Sequence, residues 1–243
     1  MERGEYERLA AVEERGWWFR GLHDNLIAAW RRAQPGEIGA VLLDAGCGTG
    51  GLLTRLAQAA PRAHCYGLEI DPLAATTARA KSGAAIIAGS VLAPPIAPGS
   101  CDAIFSADVL CHRGVEPATA LAALMPCLKR GGMLILNLPA YRWLFSGHDR
   151  AVDNVRRFGA GELRALLASA GFADIRIGYW NSLLFPLMVA QRLLNRSTRS
   201  DVESLPPRVE RLFGATVRLE ASLAASGLRL PFGGSILATA VKP

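Results

Sequence analysis

Between residues 41 and 51 the chain reads Val-Leu-Leu-Asp-Ala-Gly-Cys-Gly-Thr-Gly-Gly. The apolar run ahead of Asp44 predicts a buried parallel strand. Glycines at 46, 48, 50 and 51 let the backbone turn sharply and let a ligand approach it closely. Residues 51–60 then predict a helix whose first amides point at whatever occupies the turn. Strand, glycine turn and helix together make a nucleotide site. Gly46-x-Gly48-x-x-Gly51 also fits a dinucleotide fingerprint. Asp44 opposes that fit, because a diphosphate is repelled by a carboxylate two residues before the first glycine. A ligand with a cationic amino group is attracted to it.

The same pattern continues. Apolar runs at 41–44, 64–69, 85–88, 102–107 and 132–138 predict strands, and helices are expected at 51–60, 72–81, 117–129 and 161–170. Asp71-Pro72 marks a helix start, with Asp71 as N-cap and Pro72 in the first turn. Gly131-Gly132 is expected to end a helix and open a strand. Residues 173–179 and 234–241 read as the sixth and seventh strands. About 50 residues separate those two, including an apolar stretch at 181–195, a polar segment at 196–208 and an amphipathic helix at about 208–226.

Ahead of the first strand, residues 5–33 carry helical spacing, through Tyr6, Leu9 and Val12 and then Leu22, Leu26, Ile27 and Trp30, with a break at Gly16. The Trp17-Trp18-Phe19-Arg20 run between them either caps the sheet edge or forms a lid over a cofactor. Three units are expected: a helical lid at 1–35, a nucleotide-binding domain at 36–180 plus 229–243, and a helical cap at 181–228.

A chain of 243 residues that is 51% hydrophobic can bury a large core. No apolar run reaches the roughly 18 residues of a membrane span. The charged start, Met-Glu-Arg-Gly-Glu-Tyr-Glu-Arg, lacks a signal-peptide core. Five scattered cysteines (47, 65, 101, 111, 127) read as reduced thiols of a cytoplasmic protein, and no Cys/His spacing suggests a metal. The net charge of +6 suits either an anionic partner or a compositional bias. Basic residues are not interleaved with aromatics as in a nucleic-acid-binding face.

The D-x-G-x-G-x-G run at 44–50 resembles the first motif of class I S-adenosylmethionine (SAM)-dependent methyltransferases. Ser106-Ala107-Asp108-Val109-Leu110-Cys111-His112 resembles the motif after their fourth strand. The stretch from Leu138 to Asp149, the Arg156-Arg157-Phe158 run and Leu230–Ser235 are similar to bacterial methyltransferase-domain proteins of the type-11/12 groups. This resemblance implies an α/β, Rossmann-like seven-stranded sheet, mostly parallel with the last strand antiparallel. Helices cover both faces, and here a helical insertion precedes the last strand. It also implies SAM as cofactor, S-adenosylhomocysteine as product, and no metal.

On the cofactor side the resemblance implies that Asp44, Gly46, Cys47, Gly48 and Gly50 hold the amino-acid end of SAM. Glu69 would take the ribose, and Ile70 with Ser90 and Val91 would frame adenine. Ala107 borders the methionine part, and Trp18 and Arg20 would close over the site. Ser90 stands where such proteins often have Asp.

On the acceptor side, Asp108 and His112 either border the methyl group or cap the following turn. His148 is the expected proton acceptor. Tyr141, Asp149, Arg156 and Arg157 are expected to bind substrate. The alternative is that His148-Asp149 and Arg156-Arg157 form an ion-paired lock that shapes the loop.

The expected function is methyl transfer to a small-molecule or lipid-like acceptor. An NAD(P)-dependent oxidoreductase and a non-catalytic SAM-binding scaffold stay open. The apolar cap could also contact a membrane surface or pair two subunits as a homodimer. A nucleic-acid acceptor is not expected, because Asn137-Leu138-Pro139-Ala140 is a poor match to a base-flipping motif.

Overall fold

A computed structural model describes residues 13, 16–33, 36, 38–194, 205–226 and 230–243. Tyr6, Leu9 and Val12, and most of the polar segment at 196–208, lie outside the described residues. Seven strands form one sheet: β1 (Val41–Ala45), β2 (His64–Glu69), β3 (Ala85–Ala88), β4 (Cys101–Ala107), β5 (Leu128–Pro139), β6 (Ala173–Trp180) and β7 (Ser235–Val241). Their order is β3-β2-β1-β4-β5-β7-β6. β1 to β5 pair in parallel, and β7 runs antiparallel to both β5 and β6.

Period-2 alternation builds a core on each face. Leu43, Ile104, Leu134 and Leu136 face the layer of α4 (Pro117–Leu124) and α6 (Ala160–Ser169). Leu42, Phe105, Met133 and Ile135 face the layer of α1 (Trp17–Ala33) and α2 (Gly51–Ala59). Helix α3 (Pro72–Ser82) packs beside α2 through Ala78, which shares a small core with Leu53 and Ile86.

The helical insertion between β6 and β7 contains α7 (Phe185–Leu194) and α8 (Pro207–Ala225). Helix α8 lies along α1. Trp17 stacks edge-on to Phe213 at 5.3 Å, and its backbone amide donates to Glu210 Oε2 at 2.9 Å.

Several sequence expectations need correction. The aromatic run at 17–19 is the first turn of a continuous helix. Leu26 and Trp30 of that helix are fully buried, so α1 is a layer of the core. The helix expected at 117–129 stops at Leu124. Pro126 cannot continue it, and residues 125–127 tighten into one 3₁₀ turn. Gly131-Gly132 does not open β5, which begins at Leu128. Gly131, at φ +74°, sits in an excursion where pairing shifts from Cys101↔Leu128 to Ala103↔Met133. The loop after β5 carries a 3₁₀ turn at 142–144 and the short α5 (Gly147–Ala151), neither of which is apparent in the apolar spacing.

All five cysteines are free thiols. Among the described residues no helix is long and apolar enough to cross a membrane, and no cluster of three His, Cys, Asp or Glu could hold a metal.

Candidate active site

The parallel strands deliver their carboxyl ends to one edge, where ligands bind in open α/β sheets. At the tip of β1 the chain enters the glycine turn. Gly46 and Gly50 have φ of +82° and +85°. A Cβ on Gly46 would lie 2.4 Å from Val109 Cγ2, and one on Gly50 would lie 2.8 Å from Ala78 Cα. Only glycine meets both conditions. Gly48, at φ +52°, has open space where its side chain would be.

Most amides of the turn already have partners. The amides of Gly46 and Cys47 donate to Leu68 O at 2.8 and 3.1 Å. Glu69 Oε2 accepts from Gly48 N at 2.8 Å, while Oε1 accepts from Ile70 N and Asp71 N, both at 2.9 Å. A carboxylate offers about four acceptor positions. Glu69 therefore retains room for about one further donor.

The first amide of α2 does not await a ligand. Gly51 N donates to Glu13 Oε1 at 3.2 Å. Glu13 Oε2 accepts from Thr49 Oγ1 at 2.5 Å and from Lys81 Nζ at 2.8 Å. Glu13 was not singled out in the sequence. It fills the anion position at this helix N-terminus, where a dinucleotide would need to seat its diphosphate.

Asp44 is 2% exposed, and its side chain has no hydrogen-bond partner among the described residues. Burial, together with the Glu13 and Glu69 carboxylates, pushes its carboxyl well above the usual range. Burial raises the Cys47 thiol in the same way.

Ile70, 70% exposed, stands in solvent beyond β2. Val91 is buried, and Ser90 Oγ accepts from Leu92 N at 3.2 Å, leaving its hydroxyl proton free to donate. Ala107, at the end of β4, is half-buried. Trp18 rests on Trp180, ring centroids 5.9 Å apart, and Arg20 is exposed beside Gly214 of α8.

Asp108 follows β4 in a left-handed conformation, φ +54°. Its Oδ1 accepts from Asn137 Nδ2 at 3.0 Å. Burial pushes its carboxyl up to about 7, although Asn137 and the Arg157 guanidinium favour the ionised form. His112 is half-buried, bridged to Asn154, and held below its usual pKa mainly by burial.

The loop after β5 folds back over this edge. Phe158 N donates to Pro139 O and Tyr141 N to Phe158 O, both at 2.9 Å. Inside the loop lies a buried ion pair. Asp149, fully buried, accepts from Arg157 Nε at 2.8 Å, Ser146 N at 2.8 Å and Arg192 Nη1 at 3.0 Å. Asp149 and Arg157 are paired with each other inside the loop. Arg156 is half-buried and makes no side-chain hydrogen bond among the described residues. His148, on α5, is half-buried.

Tyr141, at φ +63°, stacks on Tyr179 at 5.5 Å and contacts Trp143 and Phe185 at 5.8 and 5.5 Å. Phe185 in turn meets Phe232 at 5.7 Å. Trp143, Leu187, Leu183 and Phe232 of this region are exposed. Only Tyr141 of the aromatic cluster was singled out from the sequence. The others lie on separate segments that meet only in the fold.

A central parallel sheet in this order, with an antiparallel β7 between β5 and β6, is the class I SAM-dependent methyltransferase fold. Residues 43–136 match the family model described as "Methyltransferase domain". A SAM-dependent methyltransferase from Thermotoga maritima superposes with a TM-score of 0.63 at 20% identity, covering 99% of this chain and 95% of its own. The ubiquinone biosynthesis O-methyltransferase of Pseudomonas paraeruginosa is 29% identical over 148 residues, 56% of this chain and 63% of the relative. A tRNA1(Val) (adenine(37)-N6)-methyltransferase of Porphyromonas gingivalis is 46% identical over 65 residues, 26% of each chain. The chain thus spans between a quarter and two thirds of the curated relatives it matches.

Proposed function

We propose that this chain transfers a methyl group from SAM to a small-molecule or lipid-like acceptor. The observation that carries the reading is Asp44: a buried carboxyl with no hydrogen-bond partner among the described residues, flanked by Glu13 and Glu69. Such a group needs a cation, and the α-amino group of SAM is one. Glu13 at the start of α2 supports the same choice, since it opposes the diphosphate of NAD(P).

In this reading Asp44, Cys47 and the glycines at 46, 48 and 50 hold the amino-acid end. Glu69 accepts one ribose hydroxyl with the acceptor position that the backbone leaves free. Ile70 and Val91 sandwich adenine, and the Ser90 hydroxyl donates to a ring nitrogen. Ala107 lines the methionine part. Trp18 closes the far side through Trp180.

SAM supplies a methyl group on a sulfonium, an excellent leaving group, so no strong base is obligatory. The protein must hold the acceptor atom close and in line. Asp108 and His112 border that position, and His148 receives a proton where the acceptor has one to lose. Arg156 meets an anionic group on the acceptor. Tyr141 and the exposed aromatic and aliphatic side chains around it favour a partly apolar acceptor.

Calorimetric titration with S-adenosylhomocysteine, with NADH as a parallel control, tests the cofactor. Micromolar binding of the first alone is expected. Binding of NADH alone would overturn the reading.

A further inference from the structure

Asn137 is a polar side chain in the middle of the apolar run Leu-Ile-Leu-Asn-Leu-Pro, and it is completely buried. Both ends of its amide are used. Trp180 Nε1, on β6, donates to Asn137 Oδ1 at 2.7 Å, and Asn137 Nδ2 donates to Asp108 Oδ1 at 3.0 Å. Asp108 N closes a second link by donating to Asn137 O at 2.9 Å.

The donor and acceptor chemistry fixes the direction of this chain. An indole nitrogen can only donate. It therefore compels Asn137 to turn its oxygen toward Trp180 and its NH₂ toward Asp108. The flipped amide would set two donors against each other at Trp180 and two acceptors against each other at Asp108. Asp108 Oδ1 is consequently an acceptor at all times, and any proton on the carboxyl must sit on Oδ2. No described residue donates to Oδ2. Trp180 is itself only 4% exposed and is held by the ring of Trp18.

We infer that Asn137 and Trp180 are positioning residues that fix Asp108 and leave Oδ2 as the oxygen through which it engages an N–H or O–H of the methyl acceptor. The role of Oδ2 rests on the proposed function, whereas the relay from Trp180 to Asp108 stands on its hydrogen bonds. Arg157 and Asp149 are the charged groups that act on Asp108 from the loop, and Cys111 Sγ donates to its backbone oxygen at 3.0 Å.

The test is an NMR titration of the full chain, labelled with ¹³C at aspartate carboxyls and ¹⁵N at tryptophan indoles. Asp108→Asn and Trp180→Phe assign the two resonances. In the unaltered protein both are expected to move with one midpoint near 7. In Asp108→Asn the Trp180 indole resonance should stop responding. In Trp180→Phe the carboxyl midpoint should rise by about half a pH unit, because the amide no longer has to donate to the carboxylate. An indole resonance indifferent to pH while the carboxyl titrates overturns the relay, and this comparison needs no variant beyond those used for assignment. With an acceptor in hand, the acid limb of kcat/KM should move to higher pH in Trp180→Phe by the same amount, and an unmoved limb overturns the role of Oδ2. Failure to bind S-adenosylhomocysteine with the coupled titration intact would overturn the methyltransferase reading and leave the relay standing.

Discussion

Arg192 on the insertion helix α7 donates to Asp149 Oδ2 at 3.0 Å, and the same Nη1 reaches Leu144 O and Ser146 Oγ, both also at 3.0 Å. The insertion and the loop after β5 are therefore one unit, tied at a fully buried carboxylate. A ligand entering at this edge would meet a surface whose two halves are tied together.

Removing Asp149 leaves Arg157 buried without its anion. Asp149→Ala should lower stability by about 3–5 kcal/mol near neutral pH. Although burial opposes its ionisation, the hydrogen bond from Arg157 and the charges of Arg157 and Arg192 hold its carboxyl below the usual value. A depressed carboxyl stabilises the fold above its unfolded pKa and ceases to do so as pH falls through the folded value. Urea unfolding at about pH 7 and about pH 3 should show the gap between variant and parent narrowing in acid.

Asp44 has the opposite sign. Its carboxyl is raised, so its contribution to the cofactor-free fold is complete below the ordinary carboxylate range and is lost as pH rises through the raised value. Asp44→Asn should leave the cofactor-free protein as stable as the parent, or more so, at about pH 8, yet weaken S-adenosylhomocysteine at least about tenfold. Titrations of the parent in buffers of different ionisation enthalpy should reveal protons released on binding. Unchanged affinity in the variant would remove Asp44 from the cofactor.

Gly46→Ala forces a Cβ into Val109 at a positive φ. The turn must move, and S-adenosylhomocysteine affinity should drop at least about tenfold, while far-UV circular dichroism stays that of the parent. Full retention of affinity would mean that the turn does not touch the ligand.

Glu13→Ala removes the carboxylate that Thr49 Oγ1 and Lys81 Nζ donate to and frees Gly51 N. A loss of about 1–3 kcal/mol is expected. The vacated helix start should also attract anions, so phosphate in place of chloride should raise the melting temperature of the variant more than that of the parent. An equal response in both would refute the placement of Glu13 as the resident anion.

The sheet was legible in the sequence because its signals are local. Apolar runs, the glycine turn and the Asp71-Pro72 start need only neighbours, and Asp71 does accept from Leu73 N and Ala74 N at 2.9 and 3.0 Å. The glycine turn was placed correctly, but its ligand-facing amides were overestimated. Glu13 comes from 38 residues before Gly51 to take one of them, and nothing in local spacing announces that. Asn137 and Trp180 are 43 residues apart. The signal that would have found Asn137 was its chemistry: an amide inside a buried strand must have partners on both ends. The insertion helices emerged near 185–194 and 207–225 as their apolar spacing predicts, but the latch at Arg192 depends on which faces meet.

β6 has a single neighbour, β7, and β7 follows it by 55 residues of chain, from Trp180 to Ser235. During synthesis β6, with Tyr179 and Trp180, must wait unpaired until Ser235–Val241 leaves the ribosome. Only then can Trp180 reach Asn137 and Asp108 be set. The edge that carries Asp108 is thus assembled after the glycine turn, and a chain that has not yet paired β6 with β7 can hold the turn without having Asp108 set.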